Sequence, residues 1–276
     1  EVLKAWGAAY QQLADILIGA EEGLYQQKET AKGGWRGARA FTLVEKVEES
    51  REVVSFYFAP VDGQPVLVAE PGQYIGLQLV IDGAEQRRNY SLSTLGDGRL
   101  YRISVKREAD GKVSNYLHDQ LKVGDSINLF PPAGDFTLAA SDKPLVLISG
   151  GVGITPTLAM LEAALASGRQ IHFIHCARNG GVHAFREHVD GLAARNPQLK
   201  RFYCYDEDDG VSLPADALGY LDQAQLERWL PQERDLDAYF LGPKPFMAAV
   251  KRHLEALGVP QGQSRYEFFG PASALE

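Results

Sequence analysis

The texture of the chain changes at Pro144, and that change limits the folds open to it. From residue 38 to about 140, short apolar-rich runs are parted by turn dipeptides. These are Asp62-Gly63, Pro71-Gly72, Asp82-Gly83, Asp97-Gly98 and Asp110-Gly111. Glycine supplies the positive φ, and Asp or Pro the preset geometry, that tight turns need, so the runs between read as strands. Six follow: F-T-L-V-E-K-V, V-V-S-F-Y-F, Y-I-G-L-Q-L-V-I, Y-S-L-S, L-Y-R-I-S-V-K and S-I-N-L-F. Their spacing predicts an antiparallel barrel. One helix interrupts it, N-Y-L-H-D-Q-L, with Ser114 as the expected cap and Gly124 closing it.

After Pro144 the rhythm is different. L-V-L-I-S is wholly apolar and is followed by a Gly-rich turn and the helical run P-T-L-A-M-L-E-A-A-L-A-S. The strands I-H-F-I-H-C, R-F-Y-C-Y and A-Y-F-L then alternate with expected helices over 183–195, 222–230 and 244–257. Buried strands alternating with helices mean βαβ units and a doubly wound parallel sheet. Residues 2–27 are helical in pattern: Leu3, Trp6, Tyr10, Leu13, Leu17 and Leu24 recur at three- and four-residue steps. That stripe either packs on the rest of the chain or belongs to the last helix of an upstream helical domain. The expected architecture is α+β with two domains, a barrel over 30–142 and an α/β domain over 143–276. A helix and linker over 1–29 precede them.

A length of 276 residues suits two domains. The net charge of −8 argues against nucleic-acid binding, which needs a basic footprint. Two cysteines, Cys176 and Cys204, are too few for a disulfide framework, so a reducing, cytoplasmic setting is expected. No run is apolar enough to predict a membrane span. Glu1 in place of Met leads to the expectation that the chain begins inside a longer natural sequence.

Two stretches carry chemistry. In S-G-G-V-G-I-T-P-T, Thr155 is the expected helix cap and Pro156 the first helical residue, with backbone N–H groups exposed at the carboxyl end of a parallel strand. It is either a phosphate cradle or a tight turn without a ligand. In R-R-N-Y-S, alternation puts Arg88 and Tyr90 on one face and Asn89 and Ser91 on the other. Arg88 and Tyr90 make either a surface cation–π pair or a phosphate anchor beside an aromatic platform, with Ser91 at the edge. The helix opened by Gly111, Ser114 and Asn115 offers a second anion-binding end.

Together, R-x-Y-S, G-x-x-S-N-x-L-H, G-G-V-G-I-T-P and the terminal E-F-F-G-P resemble the ferredoxin–NADP reductase superfamily, and within it the reductase half of bacterial flavohemoglobins, the nitric oxide dioxygenases. The likeness covers residues 30–276. Residues 1–27 resemble the last helix of that family's globin domain. The resemblance implies an FAD-binding barrel and an NAD(P)-binding α/β domain, passing electrons from NAD(P)H through FAD to heme. Heme b itself is expected only in the globin domain, as the electron-accepting partner. It implies that Tyr74, Arg88, Asn89, Tyr90 and Ser91 bind FAD, with Tyr90 stacked on the isoalloxazine, and that Gly111 and Ser114 meet its pyrophosphate. Gly150, Gly151, Val152, Gly153, Ile154, Thr155 and Pro156 would cradle the NAD(P)H pyrophosphate. Phe268, Phe269, Gly270 and Pro271 would cover the flavin, and Glu267 would tune its coupling to heme. Glu267, Tyr90 and Ser91 are the catalytic candidates. Leu241 stands where the family often has Cys, and Phe268 where some members have another.

Rival readings are a stand-alone flavin or oxygenase reductase and a silent FAD-binding subunit. No metal site is expected: His172 and His175 face opposite sides of a strand, and His183 and His188 are five apart. His175 and Cys176 either line the adenosine site or pack, and Cys204 reads as core. Asp206–Gly210 reads as a solvated acidic loop and Arg87 as solvated. Arg178 would favour a 2′-phosphate, whereas the adjacent Asn179-Gly180-Gly181 reads as an ordinary turn, so the choice between NADH and NADPH stays open, with NADH or both nucleotides expected. A monomer is expected.

Overall fold

A computed structural model describes residues 2–269. The first element, α1 (Val2–Thr30), is a single 29-residue helix. Its stripe does not pack on the rest of the chain. Trp6 and Tyr10 are each 74% exposed and Leu13 56%, and Leu17 and Leu24 are exposed as well. The Leu3 side chain lies outside the described residues.

The barrel follows: β1 (Arg39–Glu48), β2 (Val53–Pro60), β3 (Tyr74–Ile81), β4 (Ala84–Ser91), β5 (Tyr101–Lys106), α2 (Lys112–Asp119) and β6 (Ser126–Leu129). All its pairings are antiparallel, in the order β4-β3-β6-β1-β2-β5, and a bridge from Leu92 to Ile103 brings the two ends together. Strand alternation fills the interior: along β3, Ile75, Leu77, Leu79 and Ile81 all point inward. The Asp82-Gly83 turn has φ values of 52° and 76°, the two positive angles a two-residue hairpin needs. It extends β4 back to Ala84, six residues before the expected Tyr90. Ser114 does not cap α2. Gly111 holds that position, while the Ser114 hydroxyl, inside the first turn, donates to Gly111 O and accepts from Glu108 N. The helix ends at Asp119, short of Gly124.

The second unit runs β7 (Leu145–Gly150), α3 (Ile154–Leu165), β8 (Ile171–Ala177), α4 (Arg186–Arg195), β9 (Leu199–Tyr205), β10 (Ala217–Leu218), α5 (Gln223–Trp229), β11 (Asp237–Leu241), α6 (Lys244–Ala256) and β12 (Ser264–Tyr266). Its sheet is parallel throughout, in the order β10-β9-β8-β7-β11-β12. Every residue of β7, β8 and β11 is buried, as strands covered on both faces must be. α4 starts three residues later than expected. Phe185, before it, takes a left-handed φ of 64° and lies under the Arg102 guanidinium of the barrel, 5.1 Å away.

Several contacts join the units. Glu162 of α3 accepts from Thr94 Oγ1 and Leu95 N at 3.0 and 3.2 Å, and the Tyr239 hydroxyl accepts from Ala139 N at 2.9 Å. Phe136 meets Tyr239 edge-on at 5.6 Å.

Candidate active site

In the parallel sheet, β7 has β8 on one side and β11 on the other. Connections leave in opposite directions there, so a crevice opens beyond the carboxyl ends, the usual ligand position in such sheets. The Gly-rich turn lies in it. Residues 151–153 form a 3-10 turn, and the Ile154 N–H already bonds Gly151 O and Val152 O. α3 therefore starts at Ile154, with Gly153 as its cap. Thr155 is not the cap: its hydroxyl donates to Val152 O at 3.0 Å. Pro156 lies inside the first turn rather than at its first position.

The glycines divide by role. A Cβ on Gly150 would be 3.0 Å from the Phe246 ring, and one on Gly153 would be 2.5 Å from Leu241 O. Both absences let backbones meet. Gly151 differs, with a φ of +55° and nothing within 4 Å of where a Cβ would stand. Of the seven candidates only Gly151 and Val152 reach the surface, while Ile154, Thr155 and Pro156 are buried. An open, side-chain-free backbone leading into a helix fits a pyrophosphate.

A second concavity of about 560 Å³ lies between the units. Tyr74 and Gly134–Thr137 line it from the barrel side, and Ser264–Glu267 from the terminal strand. The volume is in the range of small-ligand sites. Gly134 is pressed on the Tyr74 ring, where a Cβ would be 2.9 Å from Cε1. Ser264 Oγ is buried without a hydrogen-bond partner among the described residues, a polar atom suited to a ligand. Glu267 is half-buried there, and burial, then the neighbouring Asp135, push its carboxyl above the usual range.

Tyr74 pairs with Ser91, and Tyr90 lies opposite Ile75 on the adjoining strand. Ser91 is buried and Tyr90 half-buried against the barrel core, while Arg88 and Asn89 are exposed. Burial pushes the Tyr90 phenol up to about 12, with Arg88 pulling the other way. Arg88 Nη1 donates to Arg87 O at 2.7 Å. Arg87 is engaged rather than merely solvated: it pairs with Glu85 at 2.7 Å and lies 5.2 Å over the Phe130 ring. Gly111 and Ser114 are occupied with one another at the start of α2. The Phe268 ring meets Tyr266 edge-on at 5.8 Å and Phe269 is exposed. Gly270 and Pro271 lie outside the described residues.

Sequence reading singled out none of Asp135, Phe136, Ser264 or Arg265. Gly134 takes a φ of +106°, which marks a turn but not what the turn faces. Leu241 is fully buried in the core and is not among the residues lining the cavity.

The acidic loop is more than solvated. Asp209 accepts from Ser212 N and Oγ, Val211 N and Gly181 N, which brings its carboxyl down to about 2. His172 bonds Trp229 O, and His175 bonds Ser149 Oγ at 2.8 Å. Among the described residues, no three His, Cys, Asp or Glu gather as metal ligands.

Residues 40–138 match the oxidoreductase FAD-binding domain family, and residues 147–252 the oxidoreductase NAD-binding domain family. The chain is 77% identical over 275 residues to a flavohemoprotein of Pseudomonas putida, covering 100% of this chain and 70% of that protein. The chain belongs to the flavohemoprotein family. A flavohemoprotein of Burkholderia sp. is 65% identical over 275 residues, with the same coverage. Among solved structures, the flavohem-like FAD/NAD-binding domain of nitric oxide dioxygenase from Vibrio cholerae aligns with a TM-score of 0.78 and 38% identity. It covers 86% of this chain and 100% of that one. The flavohemoglobin of Malassezia yamatoensis, solved with bound FAD and heme, aligns with a TM-score of 0.83 and 28% identity, covering 97% and 68%. This flavohemoprotein chain is the FAD- and NAD-binding reductase portion, an oxidoreductase. No helix among its described residues is long and apolar enough to cross a membrane.

Proposed function

We propose that this chain carries electrons from NADH or NADPH, through FAD, to the heme of a globin domain that converts nitric oxide and oxygen to nitrate. The observation that carries this reading is the 560 Å³ cavity, lined jointly by the barrel and by a terminal strand two places from β7 in the sheet. One wall comes from the FAD-binding unit and the other from the NAD-binding unit, so a ring held there can face a nicotinamide.

When bound, the flavin supplies the hydride acceptor and the one-electron donor. The protein's share is orientation and electrostatics. Tyr90 and Tyr74 hold the ring, Ser91 meets its edge, and Arg88 anchors phosphate. The Gly151 and Val152 backbone receives the nucleotide pyrophosphate. Glu267, its carboxyl pushed above the usual range by burial and then by Asp135, lines the same cavity. Phe268 shields the terminal side. The acceptor docks on the exposed stripe of α1, where Trp6, Tyr10 and Leu13 await an apolar partner. The working units are residues 1–29, 30–142 and 143–276, in a cytoplasmic monomer.

The deciding experiment is anaerobic addition of NADH to the FAD-loaded protein. Bleaching of the flavin absorbance is expected, and an unchanged spectrum overturns the reading.

A further inference from the structure

Glu52 belongs to the barrel, yet its carboxylate holds an arginine of the other unit. β8 ends at Ala177 and β9 at Tyr205, so both strands open toward the crevice beside β7. The next residues are tied together: Asp206 N donates to Ala177 O at 3.0 Å, and Glu207 N to Arg178 O at 2.9 Å. Beyond such a strand end, dinucleotide-binding sheets place either an acid for the ribose 2′-hydroxyl or an arginine for a 2′-phosphate. Arg178 occupies that place. Its Nη2 already donates to Glu52 Oε1.

The rest of the contact has the same character. Arg51 N donates to Gly181 O at 3.1 Å, and the Arg51 guanidinium is 4.0 Å from Asp209. Asn179 Nδ2 donates to Glu207 at 3.0 Å. Burial, then the neighbouring Glu207, push the Asp206 carboxyl up, with Arg178 pulling the other way. Both arginines at this edge are thus paired with carboxylates, and Asp206, Glu207 and Asp208 add further negative charge.

We propose that Glu52 is a specificity-determining residue which, by holding Arg178, selects NADH over NADPH from the opposite domain. This rests on the reading of the Gly150–Pro156 turn as the NAD(P)H site. A neutral ribose diol leaves the Glu52–Arg178 pair intact. A 2′-phosphate, carrying nearly two negative charges, must take the guanidinium from Glu52 and then lie against the displaced carboxylate. The pair is solvent-exposed and therefore weak, so discrimination of about tenfold is expected rather than exclusion.

The test compares wild type, Glu52→Gln and the double variant Glu52→Gln/Arg178→Ala, all FAD-loaded. kcat/KM is measured for NADH and NADPH with ferricyanide as acceptor. Binding of 2′,5′-ADP and 5′-AMP is measured by calorimetry, a readout that needs no hydride transfer. Wild type should favour NADH. Glu52→Gln should raise the NADPH-to-NADH ratio about tenfold, equivalent to ~1.4 kcal/mol, and tighten 2′,5′-ADP relative to 5′-AMP. The double variant should lose both gains. Equal use of both nucleotides by wild type, or an unmoved ratio and 2′,5′-ADP affinity in Glu52→Gln, overturns the proposal. Failure of either nucleotide to reduce flavin would instead defeat the reading of function, while the binding comparison still decides on Glu52.

Discussion

Gly153 and Leu241 meet backbone to backbone: a Cβ on the glycine would be 2.5 Å from the leucine carbonyl oxygen. The contact locks the turn after β7 to the end of β11, the two strands bordering the crevice. Gly153→Ala should therefore act on folding, lowering stability by about 1–3 kcal/mol as overpacked cores do. Gly151→Ala should cost only about 1–2 kcal/mol for its left-handed φ, yet raise the NADH dissociation constant about tenfold with FAD content unchanged. Urea unfolding and nucleotide titration of both variants separate the roles. A Gly153→Ala protein of normal stability would show that the contact does not constrain the turn.

Buried histidines should make the protein acid-sensitive. The His175 and His183 rings lie 4.4 Å apart, and His183 Nε2 has no partner among the described residues. Burial is the main cause holding both below the usual range, His175 down to about 3. With the folded-state value depressed, the unfolded chain binds protons first, so stability falls as pH drops below about 6.5. For His175 the loss at pH 5 is about 2 kcal/mol. His183→Phe should flatten the decline of the urea midpoint between pH 7 and pH 5. An unchanged slope would contradict this account.

Asp237 is buried between two arginines, at 2.8 Å from Arg169 and 3.1 Å from Arg265. Arg169 is itself buried, so Asp237→Ala strands a guanidinium away from water. The expected cost is about 3–5 kcal/mol. Arg265→Ala, with its more exposed side chain, should cost clearly less by chemical denaturation. Equal losses would mean that burial does not set the cost.

Tyr90→Ala should weaken FAD retention by roughly 1–3 kcal/mol, the usual worth of an aromatic stacking partner, whereas Tyr90→Phe should keep it. The flavin-to-protein absorbance ratio after gel filtration reports both. Full retention by the alanine variant would remove Tyr90 from the flavin site.

Leu13→Ala should change the stability of this chain by less than about 0.5 kcal/mol, because the side chain is exposed. When the globin domain is attached, the same change should cost about 2 kcal/mol or more as a large-to-small core substitution. Thermal unfolding of the two proteins makes the comparison, and equally small effects would place α1 outside that interface.

Much of the fold was legible because its signals are local. The Asp82-Gly83 hairpin, the period-two run of β3 and the wholly apolar β7 each declare themselves within ten residues. Cap positions were not. Ser114 and Thr155 have side chains that suit a cap, but each lies inside its helix, bonded to a nearby carbonyl. Asp135 was missed because its place beside Glu267 depends on the barrel meeting the terminal strand, more than a hundred residues apart.

By itself, then, the sequence determined the two kinds of sheet, their order along the chain and the motifs that mark a flavin- and nucleotide-binding reductase. Hydrophobic period and turn chemistry act over a few residues, and one reading of the chain contains them. Only the tertiary structure decided which glycine is open and which is packed, which carboxylate crowds Glu267, and that Glu52 takes Arg178. Those outcomes depend on side chains brought together by closing long loops, and no local pattern encodes which partner arrives.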